Sequence, residues 1–363
     1  MLNINFFNVG HGDSIVLESI VDEDQKKYIV IDSCRTGESP NRINPAFEFL
    51  KSRNVSVINA LVITHFHTDH FTGIEEFLNG FEIKKLFIPP VFSENTTKFN
   101  TQIKHFKARA KELYERSDDE LIRGKSFSLA HLLVYLSRNW EKVEELKGRE
   151  NKFRVPDMSE ISGWIYLPLP LIKGALRSKI IEGDFDIDNY SEANDHSAAI
   201  RIDYENRKVL FGGDSNPARW KEHARQMKRD DVVNLESEFL KVPHHGSKHN
   251  NTSEIYKYIL DRTETRNIVF VSANGISHPH DEFFKLIEDL NIKPYCTNLS
   301  PQCIKQIIPL RKKKEIPQHA EAFIQNYTQE LKPYPCQGDI CLSINSSSYS
   351  IKTSSHLPCP YHI

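Results

Sequence analysis

An α/β fold is predicted by three features of this 363-residue chain. Short apolar runs, Ala60-Leu61-Val62-Ile63, Val209-Leu210-Phe211 and Ile268-Val269-Phe270-Val271, have the length and β-prone composition of buried strands. Each runs into a polar turn, and between such runs lie segments with apolar residues at helical spacing, as at Ala46, Phe47, Phe49 and Leu50. The length buries a sizeable core and suits one large α/β domain carrying an insertion or a tail.

Composition narrows the partners. Charged residues make up 26% and the formal net charge is −2, so any contact with a polyanion is local. Met1 to Val9 alternates apolar and polar like a first strand and lacks a basic, then apolar, leader pattern. No run approaches the ~20 apolar residues of a membrane span, and the expectation is a soluble, cytoplasmic protein without membrane contact. The six cysteines, at 34, 296, 303, 336, 341 and 359, include no Cys-x-x-Cys pair. They read as reduced structural thiols; the alternative is a zinc cluster of Cys303, Cys336, Cys341 and Cys359 with His356 or His362.

In chain order, residues 4 to 18 read as a hairpin closed by Gly10-His11-Gly12-Asp13, and Tyr28-Ile29-Val30-Ile31 as a third strand ending at Asp32. Asp32 is either a turn cap or a site residue. A helix over 44 to 52 precedes Val55 to Ile63, the strand that delivers Thr64-His65-Phe66-His67-Thr68-Asp69-His70. His65 and His67 share strand parity and leave the backbone on one side, while Asp69 and His70 enter the next turn and face a neighbouring point. That arrangement suits two metal ions, and imidazole beside carboxylate admits zinc or manganese.

Leu86-Phe87-Ile88 forms a strand closed by Pro89-Pro90, after which residues 95 to about 160 lose β character. Helical spacing is predicted over 99–116 and 129–147, an inserted pair that is either a solvated hairpin or a cap over the cleft. Strand character returns over 164–171 and 198–204, the latter preceded by Asn194-Asp195-His196-Ser197. Asp214 ends the next strand behind Gly212-Gly213, which permit close backbone approach. Lys241-Val242-Pro243-His244-His245-Gly246-Ser247 follows, and Ser277-His278-Pro279-His280 lies between the strand at 268–271 and a helix over 281–290. Arg311 to Lys314 is a basic run, and 338–352 reads as a final hairpin.

The stretch from His65 to His70 resembles the His-x-His-x-Asp-His signature of the metallo-β-lactamase fold superfamily. Residues 8–14 and 241–247 are similar to segments of its competence-protein branch, the domain found at the end of bacterial DNA-uptake channel proteins, although that branch often has Gln where this chain has His11. Over residues 1 to about 290 the resemblance implies a four-layer αβ/βα sandwich with metals at the edge between two sheets. The expected organisation is a domain over 1–300, with the helical insertion at about 95–160, and a C-terminal extension over 301–363 ending in a β-hairpin. The implied cofactors are two divalent ions, zinc or manganese, held by His65, His67, Asp69, His70, Asp214, His245 and His280, with His278 second to His280. Many members supply a further lone His that this chain lacks in the matching place; either His196 fills the gap or the first ion is held more weakly. Asp69 is expected to orient or deprotonate the water, and His244 or His245 to protonate the leaving group. The implied substrate is a phosphodiester, DNA or RNA, with Lys241, Lys248 and Lys305 as phosphate contacts. The alternatives are a lactonase or other small-ester hydrolase and a metal-stabilised binding module without catalysis.

Overall fold

Strand alternation sorts the apolar residues into opposing faces, and the topology follows from where those faces are buried. The computed structural model describes residues 1–22, 25–36, 42–92, 96–118, 120–148, 151–168, 193–230, 235–261, 267–275, 277–300, 303 and 336–355. The chain runs β1 (Leu2–Phe6), β2 (Ile15–Ile20), β3 (Lys26–Ile31), α1 (Pro45–Ser52), β4 (Val57–Ile58), β5 (Ala60–Val62), α2 (Thr68–Phe71), α3 (Ile74–Gly80), β6 (Glu82–Ile83), β7 (Leu86–Ile88), α4 (Thr96–Arg116) and α5 (Glu120–Arg138). It continues through β8 (Val143–Glu145), β9 (Asn151–Lys152), β10 (Ile161–Leu167), β11 (Ala199–Tyr204), β12 (Arg207–Phe211), α6 (Pro217–Asp230), β13 (Phe239–Lys241), α7 (Ser253–Ile259), β14 (Ile268–Val271), α8 (Asp281–Asp289), β15 (Lys293–Cys296), β16 (Ile340–Ile344) and β17 (Tyr349–Thr353).

Two large sheets result, ordered β17-β16-β1-β2-β3-β5-β7-β8 and β15-β14-β13-β12-β11-β10-β9. Ala60 and Val62 of β5 face Phe211, Phe239 and Phe270 of the second sheet in one core. Leu61 and Ile63 point the other way, into a core shared with α1, α3, α4 and α5. On the far side Leu210, Leu240 and Val269 pack under Trp220, Tyr256 and Phe283 of α6, α7 and α8. The order helix, sheet, sheet, helix is a four-layer αβ/βα sandwich.

Several expectations change. The interval 95–160 is not wholly helical: the second long helix ends at Arg138, and Val143–Glu145 pairs parallel with β7. The inserted helices are therefore an enlarged crossover between two parallel strands of one sheet. Their apolar side chains, including Phe99, Ile103, Phe106, Leu132, Leu133 and Leu136, fill the outer core, so the pair is not merely a solvated hairpin.

The first hairpin is also different. Its strands stop at Phe6 and restart at Ile15, because the backbone between them is drawn toward the site strand, with Asp13 N donating to Asp69 O at 3.0 Å. Gly12 lies at φ 129°, where a Cβ would run into Asp69 O and Cys34 Sγ. The C-terminal hairpin, β16 and β17, joins the first sheet through antiparallel pairing of β16 with β1. Cys34, Cys303 and Cys336 are buried. Residues 169–171, Lys305, the Arg311–Lys314 run, His356, Cys359 and His362 lie outside the described residues.

Candidate metal centre

The site forms where β5, β12, β13 and β14 end, the side on which loops after parallel strands gather. The β1–β2 loop and Asp32, after β3, complete it. The sheets are joined beside it by Ala198 N donating to Thr64 O at 3.0 Å. A second tie is the buried Lys241 Nζ on Asp13 Oδ2 at 2.5 Å.

Two groups of ligand atoms converge. Asp69 Oδ2 is 3.2 Å from His245 Nε2 and 3.6 Å from His70 Nε2. Asp214 Oδ1 is 3.4 Å from His70 Nε2 and 3.9 Å from His245 Nε2. Beside them, His65 Nε2 is 3.1 Å from His67 Nδ1 and 3.7 Å from Asp214 Oδ2. Ligands held ~2.0–2.1 Å from one tetrahedral cation stand about 3.3 Å apart, the spacing these sets approach. Asp214 thus offers one oxygen to each group. The donor chemistry fits divalent ions, and two facing atoms argue for it directly: His70 Nε2 and Asp214 Oδ1 are buried without a hydrogen-bond partner.

The far nitrogens of these rings are held. His70 Nδ1 donates to Asp32 Oδ2 at 2.7 Å, and His245 Nδ1 donates to Ser272 O at 3.1 Å. Thr64 Oγ1 gives its proton to Asp32 Oδ2 at 2.7 Å and is left to accept from His65 Nδ1 at 3.1 Å. In each case the lone pair of Nε2 is turned inward, the arrangement that outer partners impose on metal-ligating imidazoles. Asp214 is set by Ser197, whose Oγ accepts from Asp214 N at 2.7 Å. Gly213, at φ 52°, lets the chain pass Ser197 Oγ and Ala198 O, where a Cβ would collide.

Electrostatics follow from packing four carboxylates among imidazoles. Burial opposes charge on His70, yet Asp214, Asp69 and Asp32 together raise its pKa well above the ordinary histidine value. Burial and the neighbouring His70 depress His65 well below it. Burial opposes ionisation of Asp214 as well, but His70 and His245 hold its carboxyl well below the usual carboxylate range. Backbone strain is concentrated here too, with Asp32, His244 and His245 at φ 58°, 47° and 52°.

Of the residues singled out from sequence, His65, His67, Asp69, His70, Asp214 and His245 come together among the described residues. His280 stays outside: its Nδ1 accepts from Lys248 N at 3.3 Å and its ring lies beside His249 and His278. Asn274 Oδ1 accepts from Ser277 N and His278 N, folding the loop so that His278 is the inner residue, stacked on His244 at 5.6 Å. His278 is half-buried, and desolvation together with the neighbouring imidazoles lowers its pKa to about 3. His196 is buried but does not join the converging atoms; Ser197 is the residue of that segment that reaches them. Lys241 is no phosphate contact, because its ammonium is buried on Asp13, and the exposed Lys248 pairs with Glu282 at 2.9 Å.

A third group, Asp13, Asp32 and His70, also clusters, but the Lys241 ammonium already supplies its cation. Sequence reasoning missed the orienting roles of Ser197 and Asn274, since a single loop hydroxyl or amide carries no pattern that marks its partners.

Residues 8–126 match the sequence model described as the metallo-beta-lactamase superfamily. Among curated proteins no sequence matches. Similar solved structures include a mutant of CmlA beta-hydroxylase, at 12% identity and TM-score 0.42, covering 81% of this chain and 52% of that one. The chain therefore spans about half the length of CmlA. Others are a protein of unknown function from Enterococcus faecalis V583, at 13% identity and TM-score 0.34 over 82% and 69% of the two chains, and Zn(2+)-bound PqqB from Methylobacterium extorquens, at 9% and 0.36 over 77% and 84%. No described helix is long and apolar enough to cross a membrane.

Proposed function

From the match of residues 8–126 to the metallo-beta-lactamase superfamily we propose that the chain is a dinuclear metal-dependent hydrolase acting on phosphodiesters, DNA or RNA in the first instance. The observation that carries the metal reading is the facing pair of buried atoms without a hydrogen bond, His70 Nε2 and Asp214 Oδ1, 3.4 Å apart inside a ring of oriented imidazoles. Two divalent ions, zinc or manganese, supply Lewis acidity and lower the pKa of a water to near ~7. His65, His67 and Asp214 would hold one ion, and Asp69, His70, Asp214 and His245 the other.

Asp69 reaches the cleft side and orients or deprotonates the water. His245 is buried with both nitrogens engaged, which favours the partly exposed His244 for moving a proton to the leaving group. The similarity of residues 8–14 and 241–247 to the competence-protein branch supports the phosphodiester class. The buried Lys241 removes one of the basic contacts that class would use, so a small ester or lactone is the second reading.

The test is turnover of a plasmid, a chromogenic phosphodiester and a lactone by chelator-treated protein reloaded with zinc or manganese. Metal-dependent phosphodiester cleavage that is lost in Asp214→Ala, together with a fall from about two bound ions to one or fewer, is the expected result. Lactone turnover alone would move the assignment to the small-ester class. Metal binding without turnover of any of the three would leave a binding module.

A further inference from the structure

Two histidines flank the metal cluster, and each is held by an asparagine whose amide cannot be turned. Asn250 Nδ2 donates to Asp214 O at 3.1 Å and Ser215 O at 3.2 Å, so its Oδ1 must face His244 Nδ1, 2.8 Å away. An oxygen there requires a proton on Nδ1, which leaves the lone pair on Nε2, 3.7 Å from Asp214 Oδ2. Asn194 Nδ2 lies farther from the same Nδ1, at 3.4 Å, and does not compete with the shorter contact to Asn250 Oδ1.

Asn274 is anchored the opposite way. Its Oδ1 accepts from two backbone donors, Ser277 N at 2.9 Å and His278 N at 2.8 Å. Its Nδ2 therefore faces His11 Nδ1 at 2.9 Å and donates to it. The proton of neutral His11 is then on Nε2, which donates to Asp69 Oδ2 at 3.1 Å. Backbone donors and acceptors cannot be exchanged, and they decide both amide orientations without reference to the rings.

We propose that Asn250 and Asn274 are positioning residues that fix His244 and His11 in opposite tautomers. His244 presents a lone pair to the cleft, so it must take up a proton there before it can pass one to the leaving group, and His11 presents an N–H. His11 is thereby excluded as a metal ligand, although it clusters with Asp69 and His245, and instead pins the Asp69 oxygen that His70 and His245 share. The ring assignment does not depend on the hydrolase reading; only its consequence for turnover does.

Two-bond proton–nitrogen correlation spectra of protein carrying 15N-histidine, loaded with zinc, report the protonated nitrogen of each ring. His11→Gln and His244→Gln assign the two signals by their loss. The expected spectra show His11 protonated on Nε2 and His244 on Nδ1. Asn274→Asp, which puts a carboxylate oxygen opposite His11 Nδ1, should switch His11 to the Nδ1–H form and leave His244 as it was. Asn250→Ala should release His244 into a mixture of tautomers. A zinc-bound Nε2 on His11 in the native protein, a His244 proton on Nε2, or no change of His11 in Asn274→Asp would each overturn the proposal. Correct tautomers in a protein without hydrolytic turnover would refute the proposed activity and leave this inference standing.

Discussion

His70 Nδ1 donates to Asp32 Oδ2 at 2.7 Å, and Thr64 Oγ1 donates to the same oxygen at the same distance. Because Thr64 in turn accepts from His65, one carboxylate sets the rings of both halves of the centre. Both Asp32 oxygens face donors, Thr64 N at Oδ1 and His70 Nδ1 with Thr64 Oγ1 at Oδ2, so whichever way the amide of Asp32→Asn turns, at least one donor loses its acceptor. Zinc affinity should fall about 10- to 100-fold, the usual effect of removing such an outer partner. Competition against a chromophoric chelator measures it, and unchanged affinity in a folded variant would mean that these rings need no such support.

Lys241 and Asp13 join the two sheets through charges that are 1% and 2% exposed. Removing the cation alone strands a carboxylate near His245 and His70, and Lys241→Met should destabilise the protein by about 3–5 kcal/mol. Replacing both members, Asp13→Asn with Lys241→Met, should recover much of that loss. Urea unfolding at neutral pH measures the cycle; a double variant as unstable as the single one would show that burial of charge is not what the pair relieves.

His223 of α6 is buried against Tyr258, and its pKa is lowered by desolvation to about 4, from an ordinary 6.5. As pH falls the unfolded chain takes up this proton first, so the contribution to stability is complete above pH 6.5 and is lost down to about pH 4. The total is about 3 kcal/mol. His223→Gln should flatten the acid limb of the stability curve across that window, as followed by urea midpoints at successive pH values. A limb of unchanged slope would assign the acid sensitivity to other groups.

The inserted helices are part of the outer core. Leu132→Ala removes a fully buried side chain and should cost about 2–5 kcal/mol by thermal or urea unfolding, with zinc stoichiometry unchanged in the folded protein. Loss of metal at temperatures where the variant remains folded would instead tie the insertion to the site.

The parts of the centre that could be read from sequence are those carried by local pattern. An apolar strand followed by His65, His67, Asp69 and His70 gives its geometry away through strand parity, and Asp214 sits at an equally plain strand end. Asp32 was evenly balanced between cap and site, because its partner, His70, lies 38 residues on. In the sequence His280 is better placed than His278 because it directly precedes a helix, but the loop is shaped by Asn274 accepting from two backbone N–H groups. Lys241 looked like a phosphate contact for want of any sign that Asp13, 228 residues away, neutralises it. Strand β8 was hidden for a related reason: three residues with two glutamates carry too little apolar signal to stand out behind a long helix.

The pairing of β1 with β16 sets an order on biosynthesis. β1 leaves the ribosome long before residues 340–344, which cover one of its two hydrogen-bonding edges. Until that segment is translated the nascent domain carries an open strand edge beside Leu2, Ile4 and Phe6, all of them core residues. Closing the sheet therefore waits for a segment far along the chain, the type of distant contact that slows folding. A ribosome stalled before residue 340 would display a template for pairing with another chain, and this interval is when the protein most needs a chaperone.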